Sequence, residues 1–177
     1  MVNPYAASEI AVIGAGSWGT TLANLLACKG FEVDLWVREE DVFSQIVERR
    51  VNETFLPGVF LNDRLRPVRE FSDALKGKRV VVLVTPSHVF RRVLLEMEPY
   101  LNGDMHLVSA AKGIENDTLM VMSRVAGEVL GPDHEAGFSC ISGPSFAKEV
   151  SAGLPAAVTV ACVDQERGRS LQHLFST

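Results

Sequence analysis

Ile10-Ala11-Val12-Ile13-Gly14-Ala15-Gly16-Ser17-Trp18-Gly19 is the stretch that decides the fold. An apolar run breaks at a glycine, and a helical pattern follows almost at once. Glu9 to Ile13 reads as a short buried strand. Gly14 permits a tight turn, Gly16 lets a phosphate approach the backbone, and Gly19 lets the next helix pack close to the sheet. A helix starting near Ser17 points free backbone N–H groups, and the positive end of its dipole, at whatever binds there. A pyrophosphate is the expected guest. Glycine pairs also occur in ordinary turns; what gives this one weight is the order strand, glycines, helix.

Working outward, Leu22, Ala23, Leu25 and Leu26 recur at helical spacing between Thr20 and Lys29, and Gly30 ends that helix. Phe31 to Val37 alternates as a second strand, which completes the start of a right-handed βαβ unit. An acidic side chain commonly closes that second strand and binds a ribose 2′-hydroxyl. Here Arg38 stands there, followed by Glu39 and Glu40. A guanidinium at that point suits a 2′-phosphate or stacks on adenine, against the alternative of a solvent-facing loop arginine. The expected cofactor is therefore NADP(H) and/or NAD(H). Asp41 to Arg50 reads as a helix with Val42, Phe43, Ile46 and Val47 on one face. Asn52 to Pro67 reads as irregular, with a Pro57-Gly58 turn and Phe55, Leu56, Phe60 and Leu61 as apolar anchors. Beside a cofactor crevice, that loop covers adenosine, closes on substrate, or simply packs.

Phe71 to Lys76 reads as a short helix and Arg79 to Val84 as a strand buried on both faces. Thr85-Pro86-Ser87-His88 follows at the carboxyl end, where open α/β sheets bind ligands. Ser87 is the expected cap of a helix from Val89 to Glu98. His88 fits an exposed or locally bonded residue of a first helical turn better than an acid–base group; the role of Phe90 is open. His106 to Ala111 is the next strand, and Lys112-Gly113 stands at its carboxyl edge. The Lys112 ammonium is expected to face the crevice and meet an anionic substrate, against the alternative of a surface lysine before a turn. Thr118 to Leu130 reads as an amphipathic helix and Gly131-Pro132-Asp133 as a turn. Phe138 to Ser142 is a strand running into Gly143-Pro144-Ser145, with Pro144 in a first helical turn and the Ser145 hydroxyl available to a second polar ligand group. Ala156 to Val163 and Asp164 to Phe175 read as a last strand and a last helix. The sum is one doubly wound α/β domain of Rossmann type, a mostly parallel sheet with helices on both faces.

Composition narrows the function classes. A formal net charge of −5 over 177 residues argues against a nucleic-acid binder, and Arg49-Arg50 and Arg91-Arg92 read as solvated helix faces. Met1 to Ser8 lacks the basic flank and apolar core of a signal peptide, and no run reaches membrane-span length. Cys28, Cys140 and Cys162 form no C-x-x-C pair. They read as buried or half-buried thiols of a reducing cytoplasm, with no metal site.

Several motifs together carry a resemblance. Gly14-Ala-Gly-Ser-Trp-Gly-Thr20, Leu35-Trp36, Phe55-Leu-Pro57, Thr85-Pro-Ser-His-Val-Phe90, Ala111-Lys-Gly113 and Ile141-Ser-Gly-Pro-Ser-Phe-Ala-Lys-Glu149 resemble the soluble, bacterial, NAD(P)-dependent glycerol-3-phosphate dehydrogenases. The likeness runs from Ile10 to about Ala161, and the last two motifs are its most specific part. It implies reversible hydride transfer between dihydroxyacetone phosphate and sn-glycerol 3-phosphate, for glycerophospholipid synthesis. Position by position it implies cofactor contacts at Ser17, Trp18, Arg38 and Ala147, contacts with both cofactor and substrate at Lys112, and substrate contacts at Gly143 and Ser145.

One departure stands out. The family's catalytic lysine lies in a helical second domain, and no Lys-Asn-Val motif exists before Thr177. Residues 1–177 are thus expected to be the cofactor-binding domain, binding nucleotide but turning over little alone. Whether the full-length enzyme is a homodimer is open at this level. The alternatives are another dehydrogenase of the β-hydroxyacid type, and a nucleotide-binding module without chemistry.

Overall fold

A computed structural model of the chain describes residues 10–176; Glu9, assigned above to the first strand, lies outside the described residues. In chain order the elements are β1 (Ile10–Ile13), α1 (Ser17–Cys28), β2 (Val33–Trp36), α2 (Glu40–Arg49), β3 (Val51–Asn52), β4 (Leu56–Phe60), β5 (Leu65–Val68), α3 (Phe71–Leu75), β6 (Val80–Leu83), α4 (Ser87–Met97), β7 (His106–Ser109), α5 (Met122–Leu130), α6 (Pro132–Gly137), β8 (Ser139–Ser142), α7 (Ala147–Ser151), β9 (Thr159–Ala161) and α8 (Gln165–Phe175). The main sheet has seven strands in the order β5-β2-β1-β6-β7-β8-β9. All neighbours in it are parallel except β8 and β9.

β1 sits at the point where the strand order reverses, paired to β2 on one side and β6 on the other, with Ile13 opposite both Trp36 and Leu83. Ligands of open α/β sheets bind in the crevice beyond the carboxyl ends of such a pair. β1 and β6 are apolar at every position because both faces are covered. Ile10, Val12, Val80 and Val82 pack with Leu22, Leu26 and Leu174 on one face. Ala11, Ile13, Val81 and Leu83 pack with Phe90, Leu94 and Val125 on the other. Each such large side chain, fully buried, is worth about 1.5–3 kcal/mol. This double core fixes the loops at the sheet's carboxyl edge. Among the described residues no helix is long and apolar enough to cross a membrane.

Several expectations are corrected. Leu65 to Val68 is a strand, not irregular chain, and pairs in parallel with β2. Pro67 is compatible with it because β5 is the sheet's edge. Arg66 of β5 grips the buried Asp34 of β2 with two bonds of 2.7 and 2.8 Å, and Lys78 Nζ adds a third at 2.8 Å. Burial pushes the Asp34 carboxyl up, but the hydrogen bonds and charges of Arg66 and Lys78 outweigh it and hold the group below the usual carboxylate range. Gly131-Pro132-Asp133 is no simple turn: Pro132 opens α6, where a missing N–H costs nothing.

The helix expected from Thr118 starts at Met122, after Leu119 takes a left-handed φ of 57°. The helix expected from Pro144 starts only at Ala147, and the last strand shortens to Thr159–Ala161. Ser87 lies inside α4 and its side chain makes no capping bond. Phe60 is exposed rather than an anchor, and so is Cys28. Arg50 and Arg91 are no solvated faces. Arg50 bonds the carbonyls of Asn62 and Leu65, and Arg91 grips Glu115 and Glu128.

Candidate functional site

The turn after β1 is assembled backbone against backbone. Gly14 has φ 117°, and a Cβ on Gly19 would lie 1.9 Å from the Gly14 carbonyl oxygen, so α1 packs where only hydrogen fits. Gly16 differs. Its φ of −65° suits any residue, and an added Cβ would meet nothing within 4 Å. The fold itself does not require glycine there, and the space above its backbone is open. No side chain caps the start of α1, and no acidic residue stands in its first turn. Its free N–H groups and dipole thus keep their attraction for an anion.

A cleft of about 530 Å³ opens over this turn. Gly14, Gly16, Ser17, Trp18 and Gly19 form its floor, with Arg38, Phe55, Thr85, His88 and Lys112 around it. Arg38 and His88 are exposed at its rim. Phe55, 39% exposed, is a wall of the cleft rather than a core anchor. Phe90 is fully buried in the core, edge-on to Phe138 with ring centroids 6.4 Å apart. Thr85 Oγ1 is buried and has no hydrogen-bond partner among the described residues.

Lys112 stands between this cleft and a second cavity of about 350 Å³, lining both. Its ammonium donates to the Ser145 carbonyl at 2.8 Å and lies 5.5 Å from the Trp18 ring centre and 5.8 Å from that of Phe146. Such ring faces attract a cation without neutralising it. Gly143 and Ser145 line the second cavity with Lys112. Gly143 has φ 147°, and a Cβ there would come within 2.7 Å of the Ala157 carbonyl, so the loop closes only with glycine. Ala147 begins α7 and takes a hydrogen bond from Thr21 Oγ1 at 3.4 Å; it lines neither cavity.

Two residues that shape this site carry no sequence signal. Asn52, with no exposed surface, lies behind the glycine turn. Glu115 anchors the segment after Lys112 through two bonds to Arg91, 2.9 and 2.8 Å long. The Arg91 and Thr118 hydrogen bonds, with the Arg91 charge, outweigh burial and pull the Glu115 carboxyl down to about 2. Both side chains sit in stretches without apolar periodicity, and only the folded chain reveals their partners.

With this geometry in hand, comparison with known proteins is specific. The model of the family described as NAD-dependent glycerol-3-phosphate dehydrogenase N-terminus matches residues 9–168. Glycerol-3-phosphate dehydrogenase (NAD(P)+) of Syntrophobacter fumaroxidans is 47% identical over 95% of this chain and 49% of its own length. The enzyme of the same name from Geobacter metallireducens is 49% identical over 95% of this chain and 50% of its own. A crystal structure of glycerol-3-phosphate dehydrogenase from Coxiella burnetii superposes with a TM-score of 0.89 at 31% identity, covering 97% of this chain and 51% of that one. The chain spans about half the length of the relatives it matches. By its strand–glycine–helix opening, its sheet order and this match over nearly its whole length, the chain belongs to the NAD-dependent glycerol-3-phosphate dehydrogenase N-terminal family.

Proposed function

We propose that this chain is the nucleotide-binding part of an enzyme that interconverts dihydroxyacetone phosphate and sn-glycerol 3-phosphate with NADP(H) or NAD(H), supplying glycerophospholipid synthesis in the cytoplasm. The observation that carries the reading is Lys112, a cation standing on the wall shared by the cleft and the Gly143–Ser145 cavity.

The residues fit the dinucleotide. Gly16 leaves open space above the turn, and the uncapped first turn of α1 supplies N–H donors for a pyrophosphate. Arg38 follows β2 at the rim, where its guanidinium suits a 2′-phosphate or the face of adenine. The nicotinamide, when bound, supplies or takes the hydride. Lys112 would orient the carbonyl group of the substrate and stabilise negative charge growing on its oxygen, a task suited to a cation held close to the reacting group. Gly143 and Ser145 would hold the substrate from the far side, and Ala147 would approach the cofactor from α7. The proton-donating lysine would come from a helical domain beyond Thr177, a reading supported by relatives about twice as long. Residues 1–177 alone would bind nucleotide and turn over little.

The test is steady-state reduction of dihydroxyacetone phosphate by the full-length protein. Lys112→Met is expected to lower kcat/KM by about 100-fold or more, the usual scale for losing one charge-stabilising donor, with nucleotide affinity changed far less. A full-length protein that leaves this substrate untouched, or a Lys112→Met variant at the wild-type rate, would overturn the proposal.

A further inference from the structure

We infer that Asn52 is a positioning residue for the pyrophosphate turn, and that its single amide ties that turn to the Phe55 wall of the cleft; the inference rests on the dinucleotide reading above. Asn52 is the second residue of the two-residue strand β3 and has no exposed surface. A buried amide is costly unless its donors and acceptor are used, and here they are. Nδ2 donates to the Ala15 carbonyl at 2.9 Å and to Thr20 Oγ1 at 2.8 Å. Thr20 Oγ1 itself donates to the Ala15 carbonyl at 3.1 Å, so three groups close a ring behind the turn. Oδ1 accepts the Phe55 N–H at 3.1 Å. The partners dictate the amide's orientation: a carbonyl only accepts and a backbone N–H only donates.

The consequence follows from the planarity of one peptide bond. In a trans peptide the carbonyl of residue 15 and the N–H of residue 16 point to opposite sides. Asn52 and Thr20 hold the Ala15 carbonyl inward from behind. The Gly16 N–H is therefore carried to the other side, toward the cleft that Gly16 lines. Without the amide, only the Thr20 hydroxyl restrains the Ala15–Gly16 peptide from rotating, and the donor for the pyrophosphate is aimed less firmly. The same side chain fixes the backbone of Phe55, so the wall and the floor of the cleft share one anchor.

The experiment is calorimetric titration of the full-length protein with NADH, at a temperature where circular dichroism shows every variant folded. Asn52→Ala is expected to weaken binding about tenfold or more, the scale of losing two buried hydrogen bonds that aim a third. The readout that a merely structural role would not move is a double-mutant cycle. Phe55→Ala should weaken NADH binding in the wild type and have little further effect in the Asn52→Ala background. If Asn52→Ala does not fold, Asn52→Ser, too short to reach Thr20 and Phe55 together, is put through the same cycle. A folded variant with wild-type affinity, or effects at Asn52 and Phe55 that simply add, would overturn the inference. Failure of the wild type to bind NADH would instead sink the dinucleotide reading itself.

Discussion

The two sides of the cleft are built by different means. On the side of β1 and α1, backbone rests on backbone: Gly19 lies against the Gly14 carbonyl, and the strand beneath, Ile10 to Ile13, has no exposed surface. On the side of β7 and β8, one flexible side chain spans the gap, Lys112 Nζ reaching the Ser145 carbonyl at 2.8 Å. Beside it the Phe146 ring is 64% exposed. A turn set by peptide geometry has one conformation, whereas a lysine on a four-carbon stem has many. The end proposed for the nucleotide is therefore preformed, and the end proposed for the substrate is adjustable.

The largest expected effect tests the rigid side. Gly19→Ala places a methyl group 1.9 Å from a carbonyl oxygen that belongs to the backbone and cannot swing aside. We expect a loss of about 3 kcal/mol or more in chemical denaturation, together with nucleotide binding. Gly16→Ala is its counterpart, since nothing lies within 4 Å of the new Cβ. Stability should fall by no more than about 1 kcal/mol, the scale on which alanine is the poorer residue at an N-cap. NADH affinity should nevertheless fall at least about tenfold, since the methyl occupies the phosphate's approach. Wild-type binding by Gly16→Ala would mean that the phosphates lie elsewhere, and the contrast between the two sides would lose its basis.

The same contrast governs what could be read from the amino acids alone. Strands β1 and β6 and helix α1 were legible because burial on both sheet faces leaves an unbroken apolar run, and because glycines mark the turn. β5 was not: Arg66 and Pro67 interrupt its apolar pattern, and they are compatible with a strand only because it is an edge that also grips Asp34. α6 hid behind Gly131-Pro132, a pair that opens a helix as readily as it makes a turn. At the cleft, the glycines, Arg38 and Lys112 announce themselves by residue type and position. Asn52 does not, because its importance lies in reaching Ala15, 37 positions away in sequence. The hold of Lys112 on the loop after β8 was equally invisible, since it ends on a backbone carbonyl that every residue possesses.

A smaller effect is expected where the adjustable side is moored. Arg91 of α4 bonds Glu115 twice and Glu128 once, holding the segment that follows Lys112. The folded-state carboxyl of Glu115 titrates near 2, below its ordinary 4.5. Its contribution is therefore present in full above pH about 4.5 and fades as pH falls toward 2, because there the unfolded chain takes up the proton first. Glu115→Gln should cost about 1 kcal/mol at neutral pH, the scale of a partly buried bidentate pair. The gap in melting temperature between variant and wild type should close on acidification. A gap that stays constant between pH 7 and pH 3 would show that the ion pair is not what moors this segment.

The smallest effect has the opposite sign. Thr85 lies at the carboxyl end of β6 with its hydroxyl buried and without a partner among the described residues, while its Cγ2 lies where a Cβ on Gly14 would come within 3.2 Å. Thr85→Val keeps the shape that packs against the turn and removes a polar atom whose desolvation nothing offsets. Stability should hold or rise by up to about 1 kcal/mol in denaturant titration. A loss of that size would instead reveal a bond donated by the hydroxyl in solution. The rigid side of the cleft would then owe its shape to a side-chain contact as well as to its peptide geometry.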